Sequence, residues 1–401
     1  MREILEFCRD SSKRPSFIKG LKEGKDLYSF YFLDADLMED GLLLFKTFIK
    51  INRGGKKMNK TTTVKDVKTA LDTITGRRLP KNMAELFSGN NPFVVIKSSS
   101  IPGKEVMEIP GLVYGNYNKE VKKIAVTMTL TESQIELAGS LGIDVIVAHH
   151  PIADAANSGG VTLKNYLDLY EISVFELHEA FHGLHPGIAY LHGHEAFRVD
   201  IAYGGIPGNI MYVGRALEEV STLGDMLNRI NSFMGISMED DMLQMEKNIR
   251  DCDEIYETNT STRAKILVGE ENNKVNTILH IFPHTGFTIN HLEMALREHP
   301  EVDTILATIS RVKSSHPLVT KCKELGLNFI VGNSHAMEIF ENGLPLAKAL
   351  DKLLPNVEII IFRERVTATP LQQFGSRAIK EYADMIAEKY LINKTNRKAG
   401  D

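Results

Sequence analysis

Three short stretches hold the residue types that bind metal ions. The first is His149-His150-Pro151. Neighbouring side chains on a regular strand point to opposite faces, so two adjacent histidines reach one point only where a strand ends. Pro151 biases His150 toward an extended backbone. Each imidazole could then reach a different ion of a close pair, or one could ligate while the other contacts substrate. The plainer alternative is a pair of polar strand-end residues bonded to backbone. The second stretch is His178-Glu179-Ala180-Phe181-His182, whose letters match HExxH. On a helix that spacing places both histidines on one face with the acid as general base, the zincin arrangement. Gly183 and Pro186 break any helix within a turn of His182, and His185 stands where the metzincin extension has glycine. A protease is therefore disfavoured, while His178 and His182 stay candidate ligands. His185, His192 and His194 read as supporting or surface groups. The third stretch is His335-Ala336-Met337-Glu338. At i and i+3 on a helical turn, imidazole and carboxylate share a face and form an N,O pair, or else a polar cap. A carboxylate can also bridge two cations. A mixed His/Glu set suits Zn, Fe, Mn, Ni or Co. Two such ions ~3.5–4 Å apart would activate water and polarise a carbonyl, amidine or phosphoryl group.

Those side chains need rigid carriers. Lys122 to Leu130 reads as a strand. Thr131 and Gln134 form a capping box, Ile135, Ala138 and Leu141 share a helical face, and Gly142 stops the helix. Ile143 to Ala148 then reads as a buried strand, so the segment is a βαβ unit that delivers His149 at its carboxyl end. A helix over Leu163–Leu169 and a strand over Ile172–Leu177 lead into His178. Another helix is expected over Val64–Ile74. In the second half, strands are expected over Ala264–Val268, Val275–Phe282, Val302–Ile309, Leu327–Val331 and Glu358–Val366. Helices are expected over Ile289–Glu298, Val319–Leu325 and Ser376–Tyr390. Pro283-His284-Thr285-Gly286 reads as a tight βα turn whose amides could hold an anionic group.

The halves echo each other. Leu141-Gly-Ile-Asp-Val-Ile-Val-Ala148 aligns with Leu325-Gly-Leu-Asn-Phe-Ile-Val-Gly332, and histidine follows each. A spacing of about 180 residues is too long for a solenoid and suggests two related lobes across one site. The expected fold is thus α/β: two related lobes with mixed sheets facing a shared metal site, plus an N-terminal helical extension. The expected divisions are residues 1–60 (extension), 61–200 (first lobe), 201–262 (helical, acidic middle), 263–370 (second lobe) and 371–401 (C-terminal helix and tail). In the middle segment Met234, Met238, Met242 and Met245 recur at helical spacing, which suggests a packing face.

Composition narrows the function. Forty-seven basic against 52 acidic residues give a net charge of −5, so no global basic field invites nucleic acid or anionic membrane. The basic run from Lys50 to Lys68, with Gly54-Gly55 inside it, reads as a solvated linker rather than a nucleic-acid contact. Three scattered cysteines, Cys8, Cys252 and Cys322, exclude a disulfide framework and fit a reducing cytoplasm. No secretory leader or membrane-length apolar run is visible.

Together the strand-HHP unit, the histidine segment about thirty residues on, and the terminal Gly332…His335-Ala-Met-Glu338 resemble the Nif-three-like family. Its members are often labelled dinuclear-metal hexameric proteins or GTP cyclohydrolase I type 2. The Leu130-Thr131-Glu132 helix start and Val64-Lys65-Asp66-Val67…Ala70-Leu71 extend the likeness, which spans roughly residues 63–366. The resemblance implies a homohexamer of two-lobed subunits with two divalent metal ions. It implies His149 and His150 as the first ligand pair and His335 and Glu338 as the last. His178 matches the histidine of the family's HTxxD-like segment. There this chain departs, because the family's bridging Asp falls at His182. A neutral imidazole does not normally bridge two cations, so Glu338 or Glu179 would have to do so. The resulting expectation is a cytoplasmic metal-dependent hydrolase acting on a small, nucleotide-like molecule. Metal ligands would be His149, His150, His182, His335 and Glu338, with His178 and Glu338 in catalysis. A non-enzymatic metal-binding ring is the alternative.

Overall fold

The computed structural model describes residues 61–98, 105–151, 161–185, 187–206, 208–309 and 312–392. The expected N-terminal extension, residues 1–60, lies outside them.

The protein is mixed α/β. In chain order come helix α1 (Val64–Ile74), a hairpin of β1 (Val95–Ser98) and β2 (Glu105–Glu108), then β3 (Gly111–Tyr114) and β4 (Lys123–Thr127). Helix α2 (Glu132–Leu141), β5 (Val145–Ala148), α3 (Val161–Tyr170), β6 (Ser173–Glu176) and the short α4 (His178–Phe181) follow. The Thr131/Gln134 capping box forms as expected, and Gly142, at φ 65°, ends α2 in the left-handed conformation that glycine adopts without a Cβ clash. Leu141 departs from the expected buried face and is 41% exposed.

Next come β7 (His194–Asp200), β8 (Met211–Ala216), α5 (Leu223–Phe233), α6 (Ile236–Arg250), β9 (Tyr256–Glu257), β10 (Lys265–Val268) and β11 (Thr277–Ile281). The chain continues through α7 (Ile289–Glu298), β12 (Thr304–Ile309), α8 (Pro317–Leu325), β13 (Asn328–Ser334), α9 (Leu344–Leu353), β14 (Glu358–Ile361), β15 (Thr367–Ala368) and α10 (Arg377–Ile386).

A five-stranded sheet has the order β14-β4-β5-β6-β3. Its first four strands run parallel, and β3 is antiparallel to β6. Alternation sends Val145 and Val147 to one core, with Leu71 of α1 and Leu350 of α9. Ile146 and Ala148 go to the other, with Ile135 and Ala138 of α2 and Leu167 of α3. Both faces are covered, which is why β5 is apolar throughout.

A six-stranded sheet has the order β10-β13-β12-β11-β8-β7. Strands β11, β12 and β13 are parallel, and antiparallel strands flank them on both sides. Leu292 and Ala295 of α7 and Leu318, Val319 and Cys322 of α8 pack on one face. Leu223, Met226 and Ile230 of α5 pack on the other. Gly326, at φ 69°, ends α8 as Gly142 ends α2, so the internal echo is one repeated device: helix, left-handed glycine, parallel strand.

The methionine stripe does not form a packing face. Met234 is buried, but Met238 and Met245 are 63% and 61% exposed. The acids of α6 hold it instead, through Arg363–Glu239, Arg263–Asp240 and Arg365–Glu246 ion pairs. Among the described residues no helix is long and apolar enough to cross a membrane.

Candidate metal centre

The first parallel sheet ends where the chemistry begins. The ladder runs one step past β5: His149 and His150 donate their amides to Thr127 and Met128, and His178 donates its amide to His149. This breaks the strict alternation, and both imidazoles enter one pocket with ring centroids 5.1 Å apart. His149 is fully buried and His150 nearly so.

Glu338 reaches the same pocket from the end of the second sheet. Its Oε1 lies 3.2 Å from His149 Nε2, and its Oε2 lies 3.0 Å from His150 Nε2 and 3.1 Å from His335 Nε2. Residues nearly 190 apart in sequence thus converge on one carboxylate, 1% exposed. Glu338 caps the start of a π-helical segment, Ile339–Gly343. Such turns are rare and gather at functional sites. Here it returns Asn342, whose Nδ2 donates to Glu338 Oε1 at 2.8 Å.

The HExxH segment forms only the single turn α4. His182 leaves it with φ −60° and ψ 140°, so its two histidines do not sit on successive turns of one helix as in a zincin. Arg78 Nη1 donates to the carbonyl of His182 at 2.7 Å and fixes that exit. His178 Nδ1 lies 2.6 Å from Glu108 Oε2, and His182 Nδ1 lies 3.2 Å from Glu179 Oε2. Rings tie this group to the first: His149 is 5.4 Å from His182, and His150 is 5.5 Å from His178.

Two donor groups result, His150/His335/Glu338 and His178/Glu179/His182, each with its donor atoms within 4.8 Å of one another. His149 sits beside both, and its buried Nδ1 has no hydrogen-bond partner. A nitrogen- and oxygen-rich set of this kind, buried at Glu338 and Glu179 and open to solvent at His335, which is 52% exposed, fits divalent transition metals. All six residues singled out in the sequence, His149, His150, His178, His182, His335 and Glu338, therefore share one locality. The Pro283–Thr285 turn forms as expected, and the His284 ring stands 6.1 Å from that of His335.

Electrostatics follow from burial. Burial, helped by the neighbouring His150 and His182, lowers the His149 pKa to about 4 against the opposing pull of Glu338. Burial and the neighbouring His182 hold His178 well below the usual range. For Glu338, burial pushes the carboxyl upward, but His150, His149 and His335 overcome it and hold it well below the ordinary carboxylate value.

Sequence reasoning passed over several groups. Glu108, 2% exposed, comes from the edge of the β1–β2 hairpin, and its only signal is one acid in an otherwise apolar Val106-Met107-Glu108-Ile109. His192 and His194, read as supporting or surface groups, are fully buried with His280. His194 Nε2 meets His280 Nδ1 at 3.1 Å, and His192 Nδ1 lies 2.8 Å from the Ile188 carbonyl. Burial lowers His192 to about 4 and His194 to about 3. All three rings stay neutral in the native state, whereas the unfolded chain protonates them near pH 6.5. Stability therefore falls as pH drops below 6.5 and levels off only beneath the lowered native values. Each histidine contributes about 2 kcal/mol of loss by pH 5. Chelator-treated protein should melt roughly 10 °C lower at pH 5 than at pH 7, with His192→Gln shrinking the difference.

Fold and site define a mixed α/β protein whose two parallel-centred sheets bring a buried histidine–glutamate cluster together. Residues 99–195 match the family model for Duf34/NIF3 (NGG1p interacting factor 3), and this segment is Nif-three-like. Among solved structures, the chain is similar to reduced HcgD from Methanocaldococcus jannaschii, at 18% identity and TM-score 0.45, over 75% of this chain and 98% of that one. It is similar to a NIF3-related protein of Bacillus cereus, at 13% identity and TM-score 0.45, over 78% and 99%. A NIF3 superfamily protein from Sphaerobacter thermophilus aligns at 13% identity and TM-score 0.37, over 75% and 98%. No curated protein matches the chain.

Proposed function

We propose that this protein is a metal-dependent hydrolase with a dinuclear centre, acting on a small, nucleotide-like substrate. One observation carries the reading: the two oxygens of the buried Glu338 carboxylate face different histidines, Oε1 toward His149 and Oε2 toward His150 and His335. A carboxylate so placed suits a bridge between two cations. Divalent ions bound there would supply Lewis acidity and a water molecule of lowered pKa.

The chain's own residues do the rest. Asn342 steadies Glu338 Oε1. Glu108 accepts the Nδ1 proton of His178, which leaves His178 Nε2 as the acceptor for ligation or proton transfer. His149 is fully buried, with Phe181 edge-on at 5.6 Å, so bulk water does not reach the inner side. The cyclohydrolase-type label, a homohexameric ring and a cytoplasmic setting belong to the same reading by resemblance.

The test is metal content and turnover together. Protein purified without chelator should carry two divalent ions per chain by elemental mass spectrometry. A panel of nucleotides, cyclic amidines and phosphoesters should yield a substrate whose turnover His150→Ala abolishes. Fewer than two ions per chain removes the dinuclear centre. Full metal loading without turnover anywhere in the panel favours a metal-binding scaffold.

A further inference from the structure

We propose that Glu179 is a metal ligand, supplying with His178 and His182 the terminal carboxylate of the second cation site, beside the His150/His335/Glu338 group. The inference rests on the dinuclear reading and adds the identity of the second ion's anionic donor.

The contacts of Glu338 lie on the side of the first group. Its Oε1 takes Asn342 and His149, and its Oε2 takes His150 and His335. Each oxygen already has two partners, and none of them is His178 or His182. A second divalent ion bound by imidazoles alone would sit with its charge uncompensated in a largely buried pocket, which is costly.

Glu179 meets that need. It is only 5% exposed. Its Oε2 lies 3.2 Å from His182 Nδ1 and its Oε1 lies 3.6 Å from His178 Nδ1. One donor from each of His178, Glu179 and His182 lies within 4.8 Å of the other two, a span that small side-chain rotations can close onto one ion. Local backbone explains the grouping. Glu179 is the second residue of the single turn α4, which His178 opens, and His182 leaves that turn extended, so its ring folds back to 4.7 Å from that of His178.

The surroundings are shaped for it. Glu108 holds His178 through Nδ1, a carboxylate behind an imidazole in the manner of a supporting shell around a metal. Gly208 forms the facing wall at φ +78°, and a Cβ there would stand 3.1 Å from Glu179 Oε1. The chain thus keeps a side-chain-free surface against this one carboxylate oxygen.

The probe is Mn²⁺ added to chelator-stripped full-length protein, followed by calorimetry and electron paramagnetic resonance. Wild type should bind two ions per chain and show an exchange-coupled pair. Glu179→Gln should bind one, give an uncoupled six-line signal, and keep the remaining site's Kd within about threefold. His182→Ala should do the same, and Glu179→Asp should restore the second ion with weakened affinity. These variants also guard against misfolding, which would remove both ions at once and fail the retained-Kd criterion. If Glu179→Gln and His182→Ala, both folded by circular dichroism, still bind two ions with unchanged affinity, the assignment of Glu179 is wrong although the dinuclear reading stands. If wild type binds one ion only, the dinuclear reading fails and this inference with it.

Discussion

Glu338→Gln should weaken binding of the first divalent cation by roughly 100-fold or more, beyond what loss of a supporting group around a ligand produces. The substitution preserves shape and removes only the charge. In the native pocket that charge is 1% exposed and faces three imidazole nitrogens between 3.0 and 3.2 Å away. An amide offers one oxygen where the carboxylate offers two, so the contacts on one side are lost outright. Its NH₂ group would also meet ring nitrogens that must be unprotonated to ligate. The effect reaches the metal-free protein as well. The native Glu338 pKa lies well below its unfolded value, so its stabilising contribution is present above the unfolded carboxyl pKa and fades as pH falls through the native one. At pH 7 the variant should therefore lose both metal affinity and apo stability. At low pH the stability gap between variant and wild type should narrow. Calorimetric titration with Mn²⁺ and urea melts at two pH values measure the two parts. Undiminished affinity in Glu338→Gln would place the cation elsewhere. Glu301, half-exposed and paired with His299 at 3.3 Å, is the control position for metal binding, and its Gln variant should leave Mn²⁺ affinity unchanged.

The parts of this molecule that sequence made legible are those with local causes. The Thr131/Gln134 box, the Gly142 stop and the β5 run sit within eighteen residues of one another, and each is fixed by its neighbours. Helix α7 occupies its expected span, Ile289–Glu298, because an amphipathic period and a Thr288 cap mark both its face and its start. Strands β7 and β8 were illegible. They are antiparallel to their neighbours, their mutual pairing is interrupted by a register shift, and β7 carries His194, Glu195, Arg198 and Asp200 at positions a core strand would fill with apolar residues. Only tertiary pairing, of β8 with β11 and of β7 with β8, makes them strands. At the site, the histidines were visible because adjacent or periodic imidazoles are uncommon and chemically suggestive. Glu108 was not, because its role depends on an approach across 70 residues that no spacing rule reports, and Asn342 was not, because an amide four residues after an acid carries no chemical signal of its own. Asn342 also depends on a π-turn, which shifts residues by one position from where α-helical counting puts them.

Phe175→Ala should be among the most damaging substitutions away from the metal centre, costing about 3–5 kcal/mol. Phe175 is fully buried at the middle of the five-stranded sheet, on β6, and packs in the core that contains Val147 of β5, Leu71 of α1 and Leu350 of α9. Those four elements come from widely separated parts of the chain, so the ring fills space that no single helix can relax to close. Truncation leaves a cavity lined by rigid sheet and helix side chains, the situation in which large-to-small losses are greatest. The same strand ends at Glu176, two residues before His178, so the core and the candidate ligands share one rigid support. That linkage separates two outcomes. If β6 merely supports the site, Phe175→Ala lowers the urea midpoint while the folded protein still binds Mn²⁺ with wild-type stoichiometry. If packing beneath β6 sets the aim of His178, the folded variant also binds the second ion more weakly. Leu169→Ala, at a position 70% exposed on neighbouring α3, should shift the midpoint by no more than about 0.5 kcal/mol. Equal losses at the two positions would mean that the five-stranded sheet is not the cooperative core described here.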